Sequence, residues 1–110
     1  MATDDPQYTE DGRFLIIKGR RWRATDPLVP DEEEKRLTHH LMAARRAVAA
    51  AGDDEGAVKA ARARVQLAKT GLGERGTAWW EQTPAERRQR WEDCLRRLEE
   101  REGGEEGEHA

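Results

Sequence analysis

The sequence holds few of the residues that several kinds of site require. Cys94 is the single cysteine among 110 residues, which excludes an internal disulfide and a cysteine-based metal cluster. No apolar run approaches the roughly 20 residues that a membrane-spanning helix needs. Residues 1–10 are polar and acidic, a composition that argues against a secretory signal. We therefore expect a cytoplasmic protein that does not contact membranes.

Hydrophobic side chains are also scarce. They make up 35% of the residues, against 39% that are charged, which is low for a globular domain but not low enough to predict disorder throughout. The length allows one domain. A domain of this size buries only about 60–65% of the surface that its unfolded chain exposes. The core must be thin, and we expect a second copy or another protein to help close it.

Acidic residues are absent from one segment that is rich in cations. The chain has a net charge of −3, which is unlike a basic nucleic-acid binder taken as a whole. Residues 12–25 nevertheless contain no acid and five cations, Arg13, Lys18, Arg20, Arg21 and Arg23. A local basic patch of this kind is necessary for nucleic-acid binding but does not establish it.

The same segment has the pattern of a β-hairpin, predicted over residues 13–25. Two short β-prone runs flank Lys18–Gly19, and a glycine that adopts positive φ favours a tight turn. A two-residue turn would pair Leu15 with Trp22. A turn in which the glycine forms a bulge would pair Phe14 with Trp22 instead, and both registers are open.

Trp22 must face away from its arginine neighbours in either register, because side chains alternate along a strand. Two strands alone are marginally stable in water, so their apolar face needs another surface. We expect Trp22 to pack on the helices. Arg21 and Arg23 would then face water and pair with nearby acids.

Three helices are predicted, at about 31–51, 54–70 and 84–102. The first two carry apolar residues at alternating steps of three and four, the spacing of a coiled-coil seam. Their short connection predicts an antiparallel αα-hairpin. Residues at three points resemble helix starts: Asp31 with Glu34, Asp53 or Asp54, and Thr83 with Glu86. The third helix has a thin apolar stripe of Trp91, Cys94, Leu95 and Leu98.

The predicted fold is therefore mostly α with a small β-hairpin. The hairpin packs on the αα-hairpin, a third helix completes the domain at 13–102, and residues 1–12 and 103–110 are disordered tails. The 103–110 tail is acidic, a composition that favours disorder.

The motifs that could carry catalysis have simpler interpretations. Residues 71–76 match G-x-G-x-x-G, but a nucleotide site needs a strand before the motif, so we predict a helix end and a turn. His39 and His40 are adjacent and lie about 100° apart on a helix, so they cannot bind one metal together. Cys94 is interpreted as a small core residue. We predict no catalytic residue, cofactor or metal ligand, and no enzyme activity.

Trp79 and Trp80 are adjacent and point in different directions, so we expect one to close the core and the other to anchor an interface. With Trp22, they are the candidate partner-binding residues. The favoured function is a non-enzymatic protein-interaction or self-association module, with a homo-oligomer or another protein as its partner. The alternative is a nucleic-acid-binding accessory protein that uses the basic hairpin residues Lys18, Arg20, Arg21 and Arg23.

Three stretches, GRRWRATDPLVP, HHLMAARRAV and GLGERGTAWWE, resemble segments of a group of small bacterial proteins of no established function. The resemblance runs from about Arg13 to Glu81, and the tryptophan stretches are its most distinctive parts. It implies a cytoplasmic bacterial protein without catalytic residues or a cofactor. A different segment can follow the double tryptophan in that group, whereas TPAERRQRWEDCLRRLEE is strongly helical here.

Overall fold

The fold is mostly α with a small antiparallel sheet, as predicted. The computed structural model describes residues 7–109, with side chains described for residues 7–100. Its elements are β1 (Gln7–Tyr8), β2 (Phe14–Ile17), β3 (Arg20–Arg23), α1 (Asp31–Ala51), α2 (Glu55–Leu72), a 3₁₀ turn (Trp79–Glu81) and α3 (Pro84–His109). The predicted tail of residues 1–6, and Ala110, lie outside the described residues.

The hairpin adopts the two-residue turn rather than the bulged one. Leu15 pairs with Trp22, and Phe14 pairs with Arg23. Lys18 and Gly19 both have positive φ, at 51° and 79°, as the two central residues of a type I′ turn require. Because no bulge intervenes, Phe14 and Trp22 lie on opposite faces of the sheet.

A third strand comes from a segment predicted as a disordered tail. Gln7 and Tyr8 pair antiparallel with β2. The turn that returns the chain is held by Asp11, whose Oδ1 accepts hydrogen bonds from Thr9 Oγ1 at 2.6 Å and Arg13 N at 3.0 Å. These bonds hold the pKa of Asp11 below its usual value. A two-residue strand carries too little hydrophobic pattern to be predicted from sequence.

The core lies where the three helices meet. Leu37 is fully buried in α1, Leu72 is buried in α2, and both belong to the predicted seam. The whole predicted stripe of α3 is buried with them: Trp91, Cys94, Leu95 and Leu98.

Two of the predicted helix starts are confirmed and one is wrong. Thr83 and Glu86 form a reciprocal capping box, with N···O distances of 2.9 and 3.1 Å. Asp54 caps α2 by accepting a bond from Ala57 N. Asp31 is not a cap, because the extended residue before α1 is Pro30 and no side chain caps it. Asp31 instead lies in the first turn, where the helix dipole favours acids.

Both later helices extend beyond the predicted ends. Gly71, predicted to lie in a loop, is inside α2. A Cβ there would come within 2.6 Å of Leu37 Cδ2, so the close approach of α1 requires glycine at this helical position. The helix ends instead at Gly73, which has a φ of 86° and donates to two α2 carbonyls. The backbone of residues 103–109, predicted as a disordered tail, continues α3. Extending an existing helix adds one hydrogen bond for each residue that it fixes.

Candidate functional site

The register gives the small sheet two faces of different chemistry, because residues paired across strands share a face. One face, the arginine face, is formed by Phe14, Ile16, Arg21 and Arg23. The other, the aromatic face, is formed by Tyr8, Leu15, Ile17, Arg20 and Trp22.

The arginine face packs on Trp80. The Phe14 and Trp80 rings meet edge to face, with centroids 5.4 Å apart. Guanidinium carbons of Arg13 and Arg23 lie 4.9 and 5.7 Å from the Trp80 centroid, and that of Arg21 lies 4.3 Å from the Phe14 centroid. These are cation–π distances, so three arginines cover the two rings and present their charge outward.

Trp79 fastens the end of β3 to the helices. Its ring is buried, and its Nε1 donates a 3.0 Å hydrogen bond to the carbonyl oxygen of Ala24. The Arg87 guanidinium carbon of α3 lies 5.1 Å from the Trp79 centroid. The adjacent Trp80 meets Trp79 edge to face and is half-buried under the arginines. Both tryptophans therefore join the sheet to the helical part of the molecule.

Trp22 does not pack on the helices, so that prediction is wrong. Its relative exposure is 43%. The two-residue turn places Phe14, not Trp22, on the face that meets Trp80. Arg20 accompanies Trp22 on the aromatic face, with its guanidinium carbon 4.9 Å from the indole centroid.

Removing the indole N–H of Trp79 should weaken the attachment of β3 to the helices. We expect Trp79→Phe to lower the free energy of unfolding by about 1–2 kcal/mol, because the buried Ala24 carbonyl loses its donor. Urea denaturation measures the change. Trp80→Phe is the control, since it keeps the Trp79 bond, and an equal loss in both variants would contradict the assignment.

A buried carboxylate that was not predicted from the sequence joins residues 24–30, the linker between β3 and α1, to α3. Asp26 is 1% exposed. Its carboxylate accepts from Arg87 Nε at 3.0 Å, from Arg87 Nη2, and from Arg90 Nη2 at 2.7 Å. Its backbone N–H donates to the Leu72 carbonyl at the end of α2. We call Asp26, Arg87 and Arg90 the Asp26 clamp.

The Asp26 clamp is structural rather than catalytic. Asp26 Oδ1 also accepts a 2.8 Å bond from Leu28 N. The carboxylate thus accepts four hydrogen bonds, and an ionised carboxylate has about four acceptor positions, so none is left for a substrate. Burial would raise the pKa of Asp26, but the bonds from Arg87 and Arg90 outweigh it and hold the pKa below its usual value.

A weak sequence signal for the Asp26 clamp existed. Arg87 and Arg90 are three residues apart, so they share one face of a helix. Asp26 precedes a proline, and aspartate in such positions often forms a local turn with its own backbone. Nothing local indicates that these arginines meet a residue more than 60 positions away.

His40 contacts a carboxylate of another helix, and Cys94 is buried in the core. Glu99 of α3 accepts from Arg36 Nε at 3.0 Å and lies 3.4 Å from His40 Nε2, which joins α1 to α3. The bond from Arg36 lowers the pKa of Glu99. Burial raises the pKa of the Cys94 thiol, which disfavours the reactive thiolate. The described residues contain no group of three side chains that could hold a metal ion.

The cations of the sheet form no salt bridge within residues 7–100, although the charge of Arg13 acts on nearby Asp11. We expected ion pairs with nearby acids, but the salt bridges of this part of the chain involve other residues. Arg23 donates instead to the carbonyl oxygen of Gly76 at 2.9 Å. Three acids near the sheet bond to other groups: Asp11 in its turn, Asp26 in the clamp and Glu74 with Thr25 Oγ1.

The predicted site residues therefore fall into two places. Trp79 and Trp80 lie between the sheet and the helices, whereas Trp22 lies on the aromatic face. Lys18 is in the turn, and the hairpin arginines surround both faces.

Across residues 7–109, no helix has the length and apolar character to cross a bilayer. No protein-family model, curated protein or solved structure matches the chain.

Proposed function

We propose that this protein is a non-enzymatic module that binds nucleic acid through its N-terminal sheet, and that it does so in the cytoplasm. The observation that carries the proposal is that five cations surround the sheet and none of them forms a salt bridge among residues 7–100. Phosphates are the groups that most protein–nucleic acid hydrogen bonds reach. Arginine is suited to them because its planar group donates two parallel bonds.

Each face of the sheet is small. Three strands about 4.8 Å apart, of which β2 and β3 have four residues of about 3.3 Å each and β1 has two, give a face of at most roughly 14 by 13 Å. That is roughly 200 Å², whereas a stable interface buries about 800 Å² on each partner. The sheet faces alone are therefore too small to hold a dimer.

The edge of the sheet formed by β3 also opposes self-association. β3 is an edge strand, and three of its four residues are arginines. Pairing two copies edge to edge would place like charges opposite one another, which is destabilising. The same edge attracts an anionic chain.

The proposal predicts salt-dependent binding that needs the hairpin arginines. A triple variant, Arg20→Gln with Arg21→Gln and Arg23→Gln, should lose tenfold or more in affinity for a fluorescent 20-nucleotide strand at 50 mM salt. The slope of log affinity against log salt is negative, and each lost phosphate contact reduces its magnitude by about 0.7 for a single strand. The magnitude of the slope should therefore fall by about 2. Fluorescence anisotropy at several salt concentrations measures both.

A matched triple variant controls for net charge. Arg45, Arg46 and Arg62 are exposed on the αα-hairpin, and changing these three to glutamine removes the same charge away from the sheet. Its affinity should stay within about twofold of the parent protein. Absence of binding to any strand or duplex at 50 mM salt, or equal losses in the two triple variants, would refute the proposal.

A further inference from the structure

Resting on the proposed nucleic-acid binding, we infer that the ligand is single-stranded and that the aromatic face of the sheet stacks its bases on Tyr8 and Trp22. The register places these two rings in one row across the three strands, with Leu15 between them. Tyr8 is 67% exposed and Trp22 is 43% exposed. Both rings are thus exposed on the same face of the sheet.

The spacing of the two rings favours an unstacked strand. Tyr8 and Trp22 are separated by two strand spacings, or about 10 Å. Stacked bases follow one another at about 3.4 Å and keep their ring faces inside the stack. Only a strand with splayed bases can offer ring faces to both side chains, which is how single strands bind aromatic platforms on sheets.

The alternation of β3 places phosphate-binding groups beside the rings. Trp22 and Arg20 point to the aromatic face, and Arg21 and Arg23 point to the opposite face. A strand whose bases lie on Trp22 can pass its backbone over the free edge of β3 toward these two arginines. Arg20 lies against the indole and offers a second planar surface for a base.

Substitutions of the two exposed rings test the inference. The probe is a fluorescent 12-nucleotide uridine strand, compared with a duplex of the same length. Stacking is worth about 1–3 kcal/mol per base, so Trp22→Ala should weaken single-strand binding by roughly tenfold and change duplex binding by less than twofold. Tyr8→Ala should act in the same direction, and Trp22→Phe should restore most of the affinity because it keeps a ring.

The control and the remaining outcomes separate the two proposals. Met42 is exposed on α1 at 38%, so Met42→Ala should leave both affinities unchanged. If the duplex binds more tightly than the strand, or if Trp22→Ala weakens both equally, the stacking inference is overturned while the proposed function stands. If neither nucleic acid binds, the proposed function itself fails. If polyglutamate binds more tightly than the uridine strand, and if its binding also depends on Trp22, the partner is an acidic polypeptide and the inference is overturned.

Discussion

Replacing Asp26 with asparagine is expected to lower the free energy of unfolding by about 3 kcal/mol. The amide keeps the shape of the side chain but leaves the guanidiniums of Arg87 and Arg90 without their countercharge. These guanidinium side chains are only 16% and 7% exposed. Removing one partner of a buried ion pair costs about 3–5 kcal/mol, and the partial exposure of Arg87 places the expected loss at the lower end. Urea denaturation at pH 7 measures it.

The control for this variant is Asp31→Asn. Asp31 is an exposed acid in the first turn of α1, where its charge contributes a few tenths of a kcal/mol to about 1 kcal/mol. A loss of the same size in both variants would show that Asp26 acts only as a general negative charge.

The pH dependence gives an independent test of the Asp26 clamp. The pKa of Asp26 is lower in the folded protein than its ordinary value of 3.8, so the folded state favours the ionised form. Its contribution is therefore complete above about pH 4 and is lost as the pH falls through the folded pKa. We expect the stability of the parent protein to fall more steeply below pH 4 than that of Asp26→Asn. Parallel curves would contradict this assignment.

Gly73→Ala is expected to cost about 3 kcal/mol of stability. Two effects combine at this position. Its φ of 86° is unfavourable for any residue with a Cβ, at about 1–2 kcal/mol. The added Cβ would also lie 2.8 Å from Asp26 Cβ and 3.2 Å from Trp79 Cδ1, and overpacking of this kind costs about 1–3 kcal/mol.

A second glycine separates the two effects. Gly76 has a nearly equal φ of 80°, but the nearest atom to an added Cβ is Thr70 Cγ2 at 3.8 Å. Gly76→Ala should therefore show the backbone cost alone, about 1 kcal/mol. Thermal or urea unfolding of both variants gives the difference, and equal costs would mean that the approach of Gly73 to Asp26 and Trp79 is not tight.

The helices could be predicted because their signals are local. The apolar spacing of α1 repeats along one face of the helix, and the helix spans Asp31–Ala51 as predicted. The capping box of Thr83 and Glu86 involves residues three positions apart. The end of α2 was less predictable, because Gly71 resembles a helix-ending glycine in the sequence, whereas the structure needs it for the close approach of Leu37 in α1.

The contacts between distant segments could not be predicted. The Asp26 clamp joins residues 61 and 64 positions apart. The choice of register decided which ring meets the helices, and the sequence left two registers open. Because Trp80 packs on Phe14, the Phe14 ring is covered and Trp22 is left outside.

The candidate site was predicted in part. The five cations stand out because they follow one another without an acid. Tyr8 was missed because its strand has only two residues. That the arginines lie against rings rather than carboxylates follows from tertiary packing, which places the Trp80 ring within cation–π distance of both Arg13 and Arg23.

The Asp26 clamp has a consequence for the order in which the protein matures on the ribosome. The sheet and both helices of the αα-hairpin are synthesised before α3, which begins at Pro84. The carboxylate of Asp26 is then without Arg87 and Arg90, and the sheet is held by its contacts with Leu72, Gly76 and the two tryptophans. The full attachment of the sheet forms only after α3 has been synthesised, later than its position near the N-terminus suggests.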